Sequence, residues 1–232
     1  MPAVTVEGEL EAHLAVPPVG PGPWPGVVVL HEAFGLNDDI RQQADRLASA
    51  GYIALAPDLY SRGGARRCIK GVFQAAMRGQ GQAFEDIEAG RRWLESREDC
   101  TGRLGVIGFC LGGGFALLTA ARGFHASAPN YAHLPKELDA ALSGACPVVA
   151  SYGGKDRTLK GTAAELESGL ERAGVEHDVL EYPDAGHSFL NRPDPGPFLR
   201  VAGIGYHEPS AEDAWGRILR FFDKHLSETA DR

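Results

Sequence analysis

The short apolar run Leu104-Gly105-Val106-Ile107 leads straight into Gly108-Phe109-Cys110-Leu111-Gly112. Directly after it comes Phe115-Ala116-Leu117-Leu118-Thr119-Ala120-Ala121, a good helix former. A buried strand, a Gly-x-Cys-x-Gly turn and a helix in immediate succession leave few options. The glycines allow a tight reversal and keep side chains away from Cys110, so the cysteine is held at the end of a strand. The helix N-terminus behind it favours a negative charge, here a thiolate.

Around this turn, strand and helix signals alternate. Leu10, Ala12, Leu14 and Val16 alternate with Glu9, Glu11, His13 and Ala15, which predicts an antiparallel edge strand with one wet face. Val27–Leu30 reads as a buried strand after a Pro/Gly loop over 17–26. Asp38 or Asp39 is the expected cap of a helix carrying Ile40, Ala44, Leu47 and Ala48, stopped by Gly51. A strand over 52–57 follows, then a Gly/Arg-rich segment at 61–67 that is expected to be mobile. Helices are predicted over 69–78, 82–97 and 160–173, and strands near 125–131, 147–152 and 179–182. Residues 190–209 hold four prolines and three glycines and read as a long surface loop. Ala211, Ala214, Trp215, Ile218, Leu219, Phe222 and Leu226 keep helical spacing to the end. The pattern predicts one α/β domain over 1–232, a mostly parallel central sheet with helices on both faces. In such sheets chemistry lies beyond the C-terminal ends of the strands.

Three of those ends carry Cys110, Asp156 and His187, in the chain order nucleophile, acid, histidine that marks α/β-hydrolases. A thiol is mostly protonated at neutral pH and needs a base, and the histidine needs an acceptor to fix its tautomer. Asp184, in the same loop as His187, is a weaker acid candidate. Acyl transfer also needs an oxyanion hole, for which the backbone N–H groups of Leu111 and Ala33 are the candidates. Glu32 beside that hole is unusual, because a carboxylate there opposes the developing charge. Either it has a task in the site, or it points away and pairs with an arginine.

Composition narrows the partners. A formal charge of −8 speaks against nucleic acid. No window is long and apolar enough for a membrane span, and Met1–Glu7 lacks the features of a signal peptide, which points to the cytoplasm. Cys68, Cys100 and Cys146 are scattered and read as packing residues. Metal binding is poorly supported, since His31-Glu32 is not followed by the second histidine of a zinc helix. No cofactor is called for, and the expected partner is a small molecule, with the protein a monomer or small homo-oligomer.

His31-Glu32-Ala33-Phe34-Gly35-Leu36, Pro57-Asp58-Leu59-Tyr60-Ser61-Arg62, Gly108-Phe109-Cys110-Leu111-Gly112-Gly113 and Ala185-Gly186-His187-Ser188-Phe189 together resemble the dienelactone hydrolases, or carboxymethylenebutenolidases. The resemblance runs from residue 9 to 226. It implies an α/β-hydrolase fold and a Cys-Asp-His hydrolase that opens a carboxylate-bearing enol-lactone through a thioester. It implies that Glu32 contacts the resting thiol and helps convert it to thiolate when substrate arrives. Arg62 matches the first of the arginines that hold the substrate's carboxylate in that family. Arg192 is the nearest match to the second, one position late. Phe34, Tyr60 and Tyr131 are the remaining substrate-side candidates. Two segments depart from the family pattern, Arg157-Thr158-Leu159-Lys160 after the acid and Pro129-Asn130-Tyr131-Ala132 in the pocket. A carboxylesterase or thioesterase with a neutral substrate is the alternative, and a non-catalytic redox-responsive protein is a third reading.

Overall fold

The computed structural model describes residues 3–6, 8, 10–192 and 204–227. Among these, eight strands form one sheet: β1 (Ala3–Val6), β2 (Leu10–Ala15), β3 (Trp24–Leu30), β4 (Ile53–Pro57), β5 (Cys100–Phe109), β6 (Ala126–Asn130), β7 (Val148–Gly153) and β8 (His177–Tyr182). Their order is β1-β2-β4-β3-β5-β6-β7-β8. The pairings of β1 with β2 and β2 with β4 are antiparallel, and those from β4 to β8 are parallel. The helices are α1 (Asp38–Ser49), α2 (Ala65–Arg78), α3 (Gln82–Glu95), α4 (Leu111–Thr119), α5 (Leu138–Leu142), α6 (Thr162–Ala173) and α7 (Glu208–Leu226), with a single 3-10 turn at Arg157–Leu159.

Side-chain alternation along the strands sorts the core into two layers. Val27 and Val29 of β3 join Ile40, Leu47, Trp215 and Phe222, from α1 and α7. Val28 and Leu30 face the other way and join Ile87, Leu94 and Phe115, from α3 and α4. A strand buried on both faces needs an unbroken apolar run, which is what β3 has.

Several elements differ from the sequence reading. β2 is not an edge strand, because β1 pairs outside it. Its expected wet face is covered in part: Glu11 is exposed, but Ala15 is buried, and His13 is buried and meets Asp45 of α1 at 3.1 Å. α1 is capped by Asn37, whose side chain accepts the Ile40 N–H at 3.0 Å. Asp38 and Asp39 fall inside the first turn, where acidic groups suit the helix dipole. The segment expected to be mobile is helical from Ala65 onward. The short helix α5 carries too few residues to show a period. Of the loop expected over 190–209, residues 193–203 lie outside the described residues. Leu190 and Asn191 are buried rather than on the surface, and α7 has already begun at Glu208.

The register lines up the ends that matter. Leu30 pairs with Gly108, Phe109 with Asn130, and Asn130 with Ser151. The loops leaving β3, β5, β6, β7 and β8 therefore open on the same edge of the sheet.

Candidate active site

Cys110 is the N-cap residue of α4 and has φ 52°, ψ −111°. Positive φ in a residue with a Cβ is strained, and such strain clusters at functional sites. The turn is closed by contact that only glycine permits: a Cβ on Gly108 would lie 2.0 Å from the Gly112 carbonyl oxygen, and one on Gly112 would lie 2.2 Å from that of Leu30. Strand end and helix start are thus pressed together, and Cys110 is the half-buried residue at the bend.

His187 arrives on the loop after β8. Its Nδ1 meets Asp156 Oδ2 at 2.5 Å, and the ring stands within 4.8 Å of the Cys110 sulfur. Asp156 follows β7 and is buried. Its other oxygen accepts from the Thr158 N–H at 2.9 Å and the Thr158 hydroxyl at 2.7 Å. The 3-10 turn that departs from the family pattern is therefore what orients the acid. Asp184, the weaker candidate, is 74% exposed in its side chain and pairs with Lys155. The candidate nucleophile, base and acid, Cys110, His187 and Asp156, are thus brought to neighbouring strand ends.

Burial pushes the Asp156 carboxyl up, but hydrogen bonds from His187 and Thr158 outweigh it and hold the group below its ordinary value. Burial pushes His187 down, yet its bond to Asp156 and its closeness to Cys110 raise it from 6.5 to about 10. A histidine whose pKa is higher folded than unfolded adds stability that is complete below its unfolded value and fades as pH climbs to the folded one. Asp156, shifted down, loses its contribution only as pH falls through its own depressed value. The thermal melting gap between wild type and His187→Gln is therefore expected to be widest near pH 5.5 and to shrink steadily toward pH 10. Melting curves across that range check it, and a gap that is flat with pH would overturn it.

Glu32 points into the site and is 3% exposed. It accepts a 2.5 Å bond from the Ser188 hydroxyl, and the arginine pairing considered from sequence is not made. Burial pushes its carboxyl up, opposed by Ser188 and by His187. Ser188, unnoticed in the sequence as more than a neighbour of His187, has φ 58° and is buried. Among the described residues, Glu32, Cys110 and His187 form the one group of three potential metal ligands whose donor atoms all lie within 4.8 Å of one another.

The two segments that carry the candidate oxyanion donors are held by different means. Leu111 N–H opens α4 and has no acceptor within the helix. The Ala33 loop is tied down by Tyr60, whose hydroxyl donates to the Ala33 carbonyl at 3.0 Å. His31 braces the same loop: its Nδ1 bonds the Glu32 carbonyl at 2.7 Å, and its Nε2 accepts from the Leu59 N–H at 3.1 Å. That pattern is the neutral imidazole, in keeping with the downward push that burial gives His31.

The substrate-side candidates fare unevenly. Tyr131 is fully buried behind His187, with ring centroids 5.3 Å apart, and its hydroxyl is bonded to Asn191. It supports the base and presents no surface to a ligand. Arg62 pairs with the buried Asp86 of α3 at 3.1 Å. Arg192 stacks over Tyr206 at 4.2 Å and donates to its hydroxyl. Phe34 is 70% exposed. One cleft beside Cys110, about 360 Å³, is lined by residues of α2, α4 and 133–136.

Asn191 is a further residue that sequence reasoning missed. It is fully buried, accepts from Tyr131 and donates to Asp39. Asp39 also accepts the Arg192 N–H at 2.8 Å, and Gln43 bonds the Leu190 carbonyl at 3.1 Å. On the far side, the Gly205 N–H bonds the His187 carbonyl at 3.0 Å. The burial of an asparagine in a Pro/Gly-rich stretch has no local signature.

A mostly parallel sheet with a strained cysteine elbow, and a histidine and an aspartate at neighbouring strand ends, defines an α/β-hydrolase. A fold match at low identity agrees: an esterase from Thermogutta terrifontis superposes with a TM-score of 0.71 at 14% identity, over 99% of this chain and 95% of its own. The family model for the dienelactone hydrolase family matches residues 10–226, and the chain belongs to that family of hydrolases. A Yersinia pestis protein named "Putative carboxymethylenebutenolidase" is 32% identical over 234 residues, 94% of this chain and 84% of its own length. The crystal structure of a "Putative Dienelactone Hydrolase" from Klebsiella pneumoniae is 29% identical with a TM-score of 0.79, covering 96% of each chain. No helix among the described residues is long and apolar enough to cross a membrane.

Proposed function

We propose that this enzyme hydrolyses small carboxylic esters and lactones through a thioester on Cys110. The observation that carries the reading is Cys110 at a strained elbow, within 4.8 Å of a His187 ring whose Nδ1 is bonded to the buried Asp156. Sγ attacks the carbonyl carbon, and its proton is held by His187. The oxyanion is taken by the Leu111 and Ala33 amides. The C–O bond of the ester breaks and the leaving oxygen receives the proton from His187. Water then adds to the thioester with His187 as base, and the acid departs as the thiol is restored. Glu32 stands within 4.8 Å of the sulfur, held there by the Ser188 hydroxyl.

Dienelactone is the first substrate to try, on the relatives' names. A second reading, an uncharged ester, is favoured by the engagement of Arg62 with Asp86 and of Arg192 with Tyr206, which leaves neither guanidinium on the wall of the cleft. The test is hydrolysis of cis- and trans-dienelactone and of p-nitrophenyl acetate, with rapid acid quench and mass analysis of the peptide bearing Cys110. Turnover of either substrate class with one acyl group on that peptide is the expected result. Silence on every substrate, or turnover with the acyl group on another residue, would overturn the proposal.

A further inference from the structure

The cleft beside Cys110 has walls unsuited to a small charged lactone. α2 buries Val72 and Ala75 against the core, yet Ile69, Phe73 and Met77, spaced four residues apart on one side of the helix, are 36%, 44% and 81% exposed. Half of the large apolar side chains exposed among the described residues lie in this one row. Phe73 and Met77 form one wall of the cleft, and Leu118 of α4 and Leu134 form others. Lone apolar groups at a surface are ordinary. A contiguous row that faces a concavity holding a nucleophile is a binding surface.

We infer that this cleft is an acyl-chain subsite, and that the preferred substrates are esters of uncharged medium-chain acids. The inference rests on the thioester reading above and names its substrate class. The side of the ester is assigned by the base. The leaving oxygen must face His187 to receive its proton. The carbonyl oxygen must face the Leu111 amide. The cleft is lined by Cys110 and Leu111 but not by His187, so it takes the remaining substituent of the carbonyl carbon, the acyl tail. A tail laid along α2 covers Phe73 and Met77, and each methylene removed from water adds to binding. Because the same contacts persist in the transition state, the gain enters kcat/KM. Lys136 and His133 also line the cleft.

The experiment is kcat/KM for p-nitrophenyl acetate, butyrate, hexanoate and octanoate, all below their solubility limits, on the intact chain and on Met77→Lys and Phe73→Ala. Wild type is expected to gain about two- to fourfold per added methylene until the cleft is filled. Met77→Lys places a charge where the tail would lie, and its hexanoate-to-acetate ratio is expected to fall at least tenfold. Met77 is nearly free of contacts, so this variant folds even if Phe73→Ala is weakened. A flat or falling chain-length profile in wild type, or an unchanged ratio in Met77→Lys, would overturn the subsite while leaving the thioester reading standing. Ester turnover that persists in Cys110→Ala would instead overturn the thioester reading.

Discussion

Cys110→Ala is expected to lower kcat/KM on any ester or lactone that the enzyme accepts by a factor on the order of 10⁴ or more. The loss belongs to kcat, since the cleft and the oxyanion donors stay. The sulfur is the atom to which the carbonyl carbon would bond, and neither His187 nor Asp156 can stand in for it as nucleophile. Alanine, like cysteine, carries a Cβ, so the strain of the elbow at φ 52° is unchanged. The protein should fold and bind. One partner of His187 is lost, and with it part of the upward push on that ring. The measurement is steady-state kinetics beside a thermal melt. A variant that retains more than a tenth of wild-type turnover would exclude Cys110 as the attacking group.

The second large effect is on stability. Gly108→Ala would drive a methyl group to 2.0 Å from the Gly112 carbonyl oxygen and 2.2 Å from its carbon. Both are backbone atoms in the first turn of α4, so no side chain can swing aside. Either β5 or α4 must shift, and both are buried. Overpacking of this kind costs about 3 kcal/mol or more, which for a chain of this size is a fall of about 10 °C in Tm. Gly71→Ala is the matched control. Gly71 lies in the interior of α2, a Cβ there meets nothing within 4 Å, and its φ is not in the left-handed region. The same methyl should raise stability by about 0.5–1 kcal/mol through helix propensity. Opposite signs for one chemical change, read by denaturant or thermal unfolding, test whether close backbone approach is what the elbow glycines serve.

The candidate catalytic groups were legible in the sequence because each sits in a short local pattern. The elbow announces Cys110 through its glycines, and Asp156 and His187 each follow a clear strand in a recognisable order. Glu32 stood out because a carboxylate in that place is electrostatically odd. What was not legible depends on partners far along the chain. Arg62 matches a family arginine, yet from its turn it is bound to Asp86, 24 residues away on α3. Tyr131 looked like a pocket residue because its neighbours are, but Asn191 draws its hydroxyl inward. β1 was missed because four residues give too short a run to show alternation. The apolar row of α2 was in plain view, but periodicity alone cannot say that one side of a helix faces a cleft.

The buried chain Tyr131–Asn191–Asp39 joins the loop after β6, the loop that carries the base, and the first turn of α1. Three strand ends are thereby welded into one frame around His187. An enzyme whose base is fixed in this way has little to gain from closing over its substrate. Discrimination must then be made on entry, by what the open cleft will wet and what it will not, so that selectivity can drift through substitutions on α2 while the reaction itself is left alone.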